Sequence, residues 1–281
     1  MNVLFVCTGN TCRSPMAAAL FSRMANVTAE SAGLCAAEGQ PAAAHMQNLA
    51  AAYDVDISGH QSRLLTREIL EQANFVVCLS AAHAISISIH AHTAQEKIRV
   101  LGGGIADPFG GSLEDYRACA EEMNAAMPSL RNDLLSPCII VPAKEEHLPF
   151  FAALHQKVFS PPASEERLRL RLEAPCSRML TALLNDEVVG YIDANEIDDE
   201  AFIDDVAVFP NHQRQGIGSV LLARAEVGAI LRGCDKVHLE ARESSPARAL
   251  YTARGYREVG RRVEMYESPK EDAILMTLTV S

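Results

Sequence analysis

Two cysteines and an arginine lie close together near the start of the chain, in FVCTGNTCRSP at residues 5–15. Cys7 and Cys12 have a spacing that zinc ligands can have, but no second cysteine or histidine pair completes a tetrahedral set. A loop that contains Gly9 and Asn10 can instead turn successive backbone N–H groups toward one point at the amino end of a helix. The segment therefore predicts an anion-binding loop.

Cys7 and Arg13 have the residue types that phosphoryl transfer needs. The planar guanidinium of Arg13 can hold two phosphoryl oxygens, and the positive field of the loop favours Cys7 as the thiolate that attacks phosphorus. Ser14 can donate a hydrogen bond to that sulfur and help it to leave later. The predicted phosphate-binding residues are Thr8, Gly9, Asn10, Thr11, Cys12, Arg13 and Ser14.

A general acid for the leaving group is found further along the chain, in ADPFGG at residues 106–111. Asp107 lies in this proline- and glycine-rich loop, after a predicted strand at residues 98–101. Loops at the carboxyl ends of neighbouring strands meet over one crevice in a doubly wound sheet. We therefore expect Asp107 to reach Cys7.

A second glycine-rich turn lies in DDVAVFPNHQRQGIGSVLLARA at residues 204–225. An apolar strand is followed there by a loop and a helix, and the N–H groups at the start of the helix suit a pyrophosphate. Taken alone, the turn is also compatible with a dinucleotide site, although a Rossmann fingerprint would want G-x-G-x-x-G and an acid about twenty residues on. The loop ends with Gln213, Arg214, Gln215, Gly216, Ile217 and Gly218.

These residues need strands and helices to position them, and both halves of the chain show that alternation. Short continuous apolar runs are typical of buried parallel strands, and Pro15 is suited to the first turn of a helix. The predicted elements of the first half are strands at 3–6, 75–79 and 98–101, a helix after Pro15, and a helix that Ser112 and Asp115 cap and that runs toward Pro128. This order predicts an α/β fold with a doubly wound parallel sheet.

The pattern stops near LLSPC at residues 134–138, and a new strand follows. We place the domain boundary there, with one domain at residues 1–136 and a second at residues 137–281. The predicted elements of the second half are helices at 145–158, 216–231 and 245–253, and strands at 138–141, 178–184, 187–195, 202–209, 236–241 and 273–280.

Composition narrows the classes of function. The chain has 281 residues, 48% of them hydrophobic, and a formal net charge of -11, with both halves acidic. Because no basic stripe is present, we expect no nucleic-acid partner. No stretch reaches the about 18 consecutive apolar residues of a membrane span, and the cysteines are scattered, which indicates reduced thiols. We expect no membrane partner and a cytoplasmic location.

Several motifs follow one another in the first half, and in this order they resemble the low-molecular-weight protein tyrosine phosphatases over about residues 1–135. They are C-x5-R-S at 7–14, SAG at 31–33, SGHQSR at 58–63 and the Asp-Pro pair at 107–108. The resemblance implies a phosphocysteine intermediate on Cys7 and phosphoryl binding by Arg13. It also implies that Asp107 protonates the leaving group and then activates water, with no metal.

Thr11 and Phe109 bear on which phosphorylated residue is the substrate. Phosphotyrosine members of the family usually carry a larger aliphatic residue in place of Thr11, and often two aromatics where this chain has Phe109 and Gly110. CTGNTCRSPMA and DPFGGS instead resemble the protein-arginine-phosphatase branch. A hydroxyl at the pocket wall can orient a planar, polar phosphoguanidinium. We expect protein phosphoarginine as the substrate, with phosphotyrosine as the alternative.

One further cysteine and two histidines have residue types that could take part in redox chemistry or bind a metal. Cys12 is either a resolving partner for oxidised Cys7 or a small packed residue, and the sequence favours neither. His90 and His92 lack carboxylate or cysteine companions, so we expect no metal site there.

The second half has a separate likeness, which covers about residues 138–281. Q-x-x-G-x-G at 213–218, together with LEARESSPARALYTARGYREVG at 239–260, resembles the GNAT family of acetyl-coenzyme A-dependent N-acetyltransferases. The last segment, RRVEMYESPKEDAILMTL at 261–278, resembles the ribosomal-protein-alanine N-acetyltransferases. The expected fold is an α/β GNAT fold with a mixed sheet.

This likeness also implies the roles of single residues. The loop at 213–218 would bind the pyrophosphate of acetyl-CoA, and the backbone of Val206 and Val208 would bind its pantetheine arm. Glu240 would be the base, through water, and Tyr251 the acid toward the thiolate of coenzyme A.

The sequence as a whole predicts a bifunctional enzyme. It joins a protein phosphatase that acts on phosphorylated proteins to an acetyltransferase for the amino terminus of a ribosomal protein. The alternative is a protein tyrosine phosphatase fused to a small-amine acetyltransferase or to a domain that senses acetyl-CoA.

Overall fold

The computed structural model describes residues 1–25, 27–90 and 95–280, and the chain divides into two compact units. The first covers residues 1–131 and the second residues 132–279, so that the division falls within the last turns of one helix. Each unit has its own sheet. Within the described ranges, no helix is both long enough and apolar enough to cross a bilayer.

The first unit is built on a parallel four-stranded sheet in the order β2-β1-β3-β4. The strands are β1 (Val3–Cys7), β2 (Ala29–Gly33), β3 (Phe75–Cys78) and β4 (Ile98–Val100). The helices are α1 (Arg13–Ala25), α2 (Ala44–Ala50), α3 (Arg67–Gln72), α4 (Ala81–His90) and α5 (Leu113–Leu134). The predicted parallel α/β fold is confirmed.

The central position of β1 follows from its sequence. All five residues of the strand are buried, as expected for a strand with neighbours on both edges and helices on its faces. α1 begins six residues after the end of β1 and buries Met16, Leu20 and Phe21, and the ring of Phe21 lies 5.7 Å from that of Phe5. The loop between β1 and α1 is thus fixed at both ends by the core.

α5 begins where the sequence indicates but runs further. The Ser112 hydroxyl accepts the Asp115 N–H at 3.3 Å, and the Asp115 carboxylate accepts the Ser112 N–H at 2.7 Å, which completes the predicted capping box. We expected the helix to run toward Pro128, but it continues to Leu134. A proline removes one helical hydrogen bond, and here the buried side chains of Met127 and Leu130 flank it and hold both sides of the helix in the core.

The second unit is built on a mixed seven-stranded sheet in the order β10-β11-β9-β8-β7-β6-β5. The strands are β5 (Ile139–Pro142), β6 (Leu180–Leu184), β7 (Glu187–Ile197), β8 (Glu200–Val208), β9 (Lys236–Arg242), β10 (Arg257–Glu267) and β11 (Lys270–Thr279). The helices are α6 (Leu148–Val158), α7 (Glu165–Glu173), α8 (Ile217–Leu231) and α9 (Ala247–Ala253). The mixed sheet predicted for this half is confirmed.

The end of the chain differs from the prediction. We expected one closing strand at 273–280, but a hairpin of β10 and β11 is present. In the described sheet, β10 is an edge strand paired with β11, and all of its residues are exposed or half-exposed. Because it buries no face, it lacks the alternation of apolar and polar residues that identifies a strand in a sequence.

α9 is joined to α8 by a buried ion pair. The Arg254 guanidinium donates two hydrogen bonds to the Glu226 carboxylate, through Nε at 2.9 Å and through Nη2, and a weaker one to Ser219 Oγ at 3.3 Å. Both charged side chains are less than 10% exposed. Removal of one partner of such a pair leaves a buried charge without compensation.

Arg254→Met is therefore expected to destabilise the second unit by about 3 kcal/mol, whereas Arg254→Met with Glu226→Met is expected to recover most of that loss. Hydrogen–deuterium exchange of the full chain, followed in peptides from residues 217–231, measures the effect in this unit separately. Equal exchange in the single and double variants would contradict the role of the pair.

Candidate active sites

The loop between β1 and α1 turns at a residue in a left-handed conformation. Asn10 has φ +54°, a backbone state that asparagine tolerates better than most residues. Its own N–H donates to Cys7 Sγ at 3.3 Å. The turn therefore returns the chain over the end of β1 and places a backbone donor on the sulfur.

The side chain of Asn10 holds this turn in place. Its amide nitrogen donates to Ser14 Oγ and Ser31 Oγ, each at 2.9 Å, and its amide oxygen accepts the N–H of Arg63 at 2.9 Å. His60 Nε2 donates to the backbone oxygen of Asn10 at 2.7 Å. Both amide N–H groups and the amide oxygen are used, so the buried side chain is fully satisfied. SAG at 31–33 and SGHQSR at 58–63 supply these partners.

The sulfur of Cys7 is buried and faces two donors. Besides the backbone N–H of Asn10, the hydroxyl of Ser14 lies 3.0 Å from Cys7 Sγ. Because the Asn10 amide donates to Ser14 Oγ, the proton of that hydroxyl is available to the sulfur. Two hydrogen-bond donors therefore face the sulfur, and such donors stabilise negative charge that forms on it during a reaction.

Gly33, at the end of β2, lies against the same loop. A Cβ atom at this position would be 2.6 Å from the backbone oxygen of Thr8 and 2.9 Å from the backbone nitrogen of Asn10. The strand pairs Gly33 with Cys7, and the backbone beyond it bonds to the loop, through Leu34 N–H to Cys7 O. Only a glycine lets the two backbones approach so closely.

Asp107, which we expected to reach Cys7, lies against Arg13 of the same loop. Arg13 Nη2 donates to Asp107 Oδ2 at 2.5 Å, and Arg13 Nη1 donates to the backbone oxygen of Ile105 at 3.1 Å. The guanidinium is buried, whereas the carboxylate is about half exposed. Arg13 is thus fixed from one side, and Asp107 faces the opening.

A small cavity brings most of these residues together. Its volume is about 170 Å³, and it is lined by Cys7, Thr8, Gly9, Thr11, Cys12, Arg13, Asp107 and Phe109. Asn10 and Ser14 are buried and are not among the lining residues, so they support the loop on the side that faces the core. Phe109 is 78% exposed and stands at the rim.

Two groups next to the cavity were not predicted. His83, at the start of α4, lies with Nε2 3.0 Å from Thr8 Oγ1 and Nδ1 2.9 Å from Ser80 Oγ. Tyr116 of α5 places its hydroxyl 3.5 Å from Cys12 Sγ. Burial and this hydrogen bond raise the pKa of Tyr116 to about 12. Cys12 therefore has a packing partner, and its redox role stays a hypothesis.

In the second unit, the glycine-rich turn leads directly into α8. Gly216 precedes the helix with φ +83°, and Arg214 has φ +62°. These conformations fold the loop of residues 213–218 around the amino end of the helix, where backbone N–H groups lack helical partners. Gln213 Nε2 donates to the Val208 oxygen at 3.0 Å, which ties the loop to the end of β8.

β8 and β9 separate before β8 ends. Their parallel pairing runs from Glu200 with Lys236 to Ile203 with Leu239 and then stops, whereas β8 stays paired with β7 as far as Val208. The backbone of Val206 and Val208 thus has one edge without a partner strand in the described sheet. An extended ligand can bond to such an edge.

A larger cavity of about 480 Å³ lies beside the point of separation. Its polar lining includes Glu240 and Asp204, and Tyr266 and Arg262 of β10 also face it. Arg262 Nη1 contacts Glu240 Oε1 at 2.9 Å. Tyr251 lies in α9, is 9% exposed and is not among the lining residues, so Glu240 and Tyr251 do not share this cavity.

Most of the acidic residues on β7 and β8 are engaged in ion pairs. Glu196 binds Arg232 and Arg178, and Arg171 lies 2.9 Å from Asp193 and 2.6 Å from Asp205. Within the described ranges, no three His, Cys, Asp or Glu side chains are placed to hold a metal ion. His92 lies outside those ranges.

Comparison with known proteins identifies both halves. The family model of the low molecular weight phosphotyrosine protein phosphatases matches residues 2–136, and that of the acetyltransferase (GNAT) family matches residues 145–256. The protein-arginine-phosphatase of Geobacillus stearothermophilus is 38% identical over 47% of this chain and 95% of its own length. The protein-arginine-phosphatase of Bacillus subtilis is 35% identical over 48% of this chain and 97% of its length.

Among solved structures, the ribosomal-protein-S18-alanine N-acetyltransferase of Escherichia coli is 28% identical, with a TM-score of 0.48. The match covers 51% of this chain and 94% of the length of that protein.

The close approach of Gly33 predicts the effect of one added methyl group. Gly33→Ala is expected to push the loop outward, to lower the affinity for inorganic phosphate at least about tenfold and to cost about 1–3 kcal/mol of stability. Gly59→Ala is the matched control, because a Cβ there meets nothing within 4 Å. Calorimetric titration with phosphate measures the affinity, and equal values for the two variants would contradict the packing argument.

Proposed function

We propose a specific pair of activities for this chain, which belongs to the low molecular weight phosphotyrosine protein phosphatase family and carries a GNAT acetyltransferase domain in its second half. The first is hydrolysis of phosphoarginine in proteins through a phosphocysteine. The second is acetylation of the amino terminus of a ribosomal protein with acetyl-CoA. The observation that carries the first is the cavity shared by Cys7, Arg13, Asp107 and Thr11.

In the first step of hydrolysis, the thiolate of Cys7 attacks phosphorus and the bond to the leaving group breaks. Arg13 Nη2 exchanges Asp107 for a phosphoryl oxygen, because the two anions compete for the same guanidinium N–H. Asp107 is thereby freed, takes up a proton from solvent at the opening of the cavity and gives it to the departing nitrogen or oxygen. The bond from Arg13 Nη1 to Ile105 O keeps the guanidinium in place during the exchange.

In the second step, water attacks phosphorus and the Cys7 sulfur leaves. Asp107 now takes a proton from the water, and the hydroxyl of Ser14, 3.0 Å from Cys7 Sγ, stabilises the charge that returns to sulfur. The buried position of Cys7 limits the access of other nucleophiles. Inorganic phosphate is then released.

Thr11 supports phosphoarginine over phosphotyrosine. It lines the cavity with Arg13 and Asp107, and its hydroxyl is 3.7 Å from Cys12 Sγ, a weak contact that leaves it free to bond to a substrate. A guanidinium is polar around its edge and needs such partners, whereas a phenyl ring does not. The named activity of the two similar arginine phosphatases agrees with this choice.

Thr11→Ile is expected to lower the ratio of kcat/KM for a phosphoarginine peptide to that for the matched phosphotyrosine peptide by about tenfold or more, because a hydrogen-bonding hydroxyl is replaced by a bulky alkyl group. Initial rates of phosphate release measure the ratio. Thr11→Ser, which keeps the hydroxyl, is expected to stay near the parent, and Cys7→Ser serves as the blank. A parent that prefers phosphotyrosine would contradict the proposed substrate and leave the phosphocysteine mechanism standing.

The second unit has the features that acetyl-CoA binding needs. The loop of residues 213–218, wound around the start of α8 by the positive φ of Gly216, would hold the pyrophosphate. The unpaired edge at Val206 and Val208 would hold the pantetheine arm. When bound, acetyl-CoA supplies an acetyl group activated as a thioester.

The cavity beside the separated strands would take the acceptor amine. Glu240 and Asp204 line it together with Arg262, and an incoming ammonium would compete with Arg262 for the Glu240 carboxylate. Glu240 would accept the proton of that ammonium, through water. Burial raises the pKa of Tyr251 to about 12, so its hydroxyl keeps its proton at neutral pH and can donate it.

The base role of Glu240 predicts a pH-dependent loss. Glu240→Gln is expected to lower kcat for acetylation of an alanine-initiated ribosomal peptide on the order of a hundredfold at pH 7. The loss shrinks above about pH 8, where the amino terminus loses its proton unaided. Glu187→Gln, exposed at the start of β7, is the control. A loss that is independent of pH would contradict the base role, and transfer only to small amines would contradict the proposed acceptor.

A further inference from the structure

A buried histidine connects α4 to the anion-binding loop. His83 is 5% exposed and bonds at both ring nitrogens, to Ser80 Oγ at 2.9 Å through Nδ1 and to Thr8 Oγ1 at 3.0 Å through Nε2. Thr8, by contrast, is exposed and lines the cavity that holds Cys7 and Arg13. The three side chains form a chain of hydrogen bonds that ends at the cavity.

The partners of Ser80 set the direction of this chain. Ser80 Oγ already accepts the backbone N–H of His83 at 3.3 Å, so its own proton needs an acceptor, and the lone pair of Nδ1 supplies one. A neutral imidazole that accepts at Nδ1 carries its proton on Nε2 and donates it to Thr8 Oγ1. The hydroxyl proton of Thr8 is then left to point into the cavity.

The surroundings keep the imidazole neutral. Burial and the positive charge of Arg13 lower the pKa of His83 to about 4, and the Asp107 carboxylate opposes this only in part. A neutral ring donates through one nitrogen only, which preserves the direction of the chain across the working range of pH. Protonation would instead reverse the bond to Ser80, because both ring nitrogens would be donors.

We propose that Thr8 is a substrate-contacting donor of the phosphatase site and that Ser80 and His83 are positioning residues that direct its hydroxyl proton toward an oxygen of the bound phosphoryl group. The ionised oxygens of a phosphoryl group only accept hydrogen bonds, so the direction of the chain matches such an oxygen. The proton is shared and is not transferred, so no bond is formed or broken in this interaction. The inference rests on the proposed phosphatase function.

The first test separates the hydroxyl of Thr8 from its shape. Thr8→Val, which is nearly isosteric, is expected to weaken binding of inorganic phosphate about tenfold and to lower kcat/KM for para-nitrophenyl phosphate on the order of tenfold to a hundredfold. Thr8→Ser keeps the donor and is expected to stay near the parent. Thr8→Val with unchanged phosphate affinity would overturn the inference.

The second test asks whether His83 acts through Thr8. His83→Leu is expected to lower kcat/KM about as much as Thr8→Val in the parent, and to have almost no effect in the Thr8→Val background. His83→Gln, whose amide nitrogen can replace Nε2 as the donor, is expected to retain most of the activity. His90→Gln, an exposed residue of the same helix, is the matched control.

A loss from His83→Leu that is equally large in both backgrounds would assign it a purely structural role and overturn the inference. If His83→Leu does not fold, Ser80→Ala replaces it in the parent and in the Thr8→Val background. Ser80→Ala is then expected to lower kcat/KM in the parent and to have almost no effect in the Thr8→Val background. Phosphate binding by calorimetry needs no turnover, so these outcomes remain distinct from a failure of the proposed function. That failure would be a parent enzyme that binds phosphate but hydrolyses no phosphorylated substrate.

Discussion

The left-handed turn at Asn10 is the constraint on which the geometry of the first site depends. A residue in this conformation is held only if its surroundings supply the stabilisation, and here Ser14, Ser31 and Arg63 bind the side chain on all sides. The turn brings the Asn10 N–H to the Cys7 sulfur and sets the Ser14 hydroxyl against it. Its partners lie in α1, in β2 and between α2 and α3, so the fold as a whole, and not the loop alone, sets the shape of the site.

Both units place a loop that we propose to bind an anion between a strand and a helix, and the two units differ in what surrounds that loop. In the first, a buried cysteine and arginine give a small cavity in which charge is concentrated. In the second, β8 and β9 separate beyond Ile203, which provides an extended slot suited to a long ligand. The free backbone N–H groups at the start of a helix attract an anion in both proposals. In the first unit the anion is the phosphoryl group under attack, and in the second it is the pyrophosphate of the co-substrate.

The sequence predicted the parts of each site that lie at the ends of buried strands. Cys7 and Asp107 follow apolar runs that were predicted to be neighbouring parallel strands. Because the loops after such strands meet over one crevice, the sequence was enough to predict that the two residues lie close together. His83 and Tyr116 could not be found in this way, because each lies on a helix and reaches the site through tertiary packing. Ser80 three residues before His83, at the start of a helix, was the available signal.

The fold shows the same division between local and tertiary information. β10 was missed because an exposed edge strand lacks the alternation that reveals a buried face, and the end of α5 was misplaced because core contacts on both sides of Pro128 offset the hydrogen bond that proline removes. The capping box at Ser112, which involves only neighbouring residues, was predicted correctly. A sequence pattern does not predict the bounds of an element when the residues that stabilise it are distant in the chain.

The central claim is that Cys7 carries the phosphoryl group during turnover. The most direct measurement is mass spectrometry of Cys7-containing peptides after rapid acid quench of the full-length protein with a phosphoarginine substrate. We expect a phosphoryl adduct on Cys7 that forms as fast as substrate is consumed and disappears when substrate is exhausted. Steady release of phosphate with no adduct on Cys7, or with an adduct on another side chain, would contradict it.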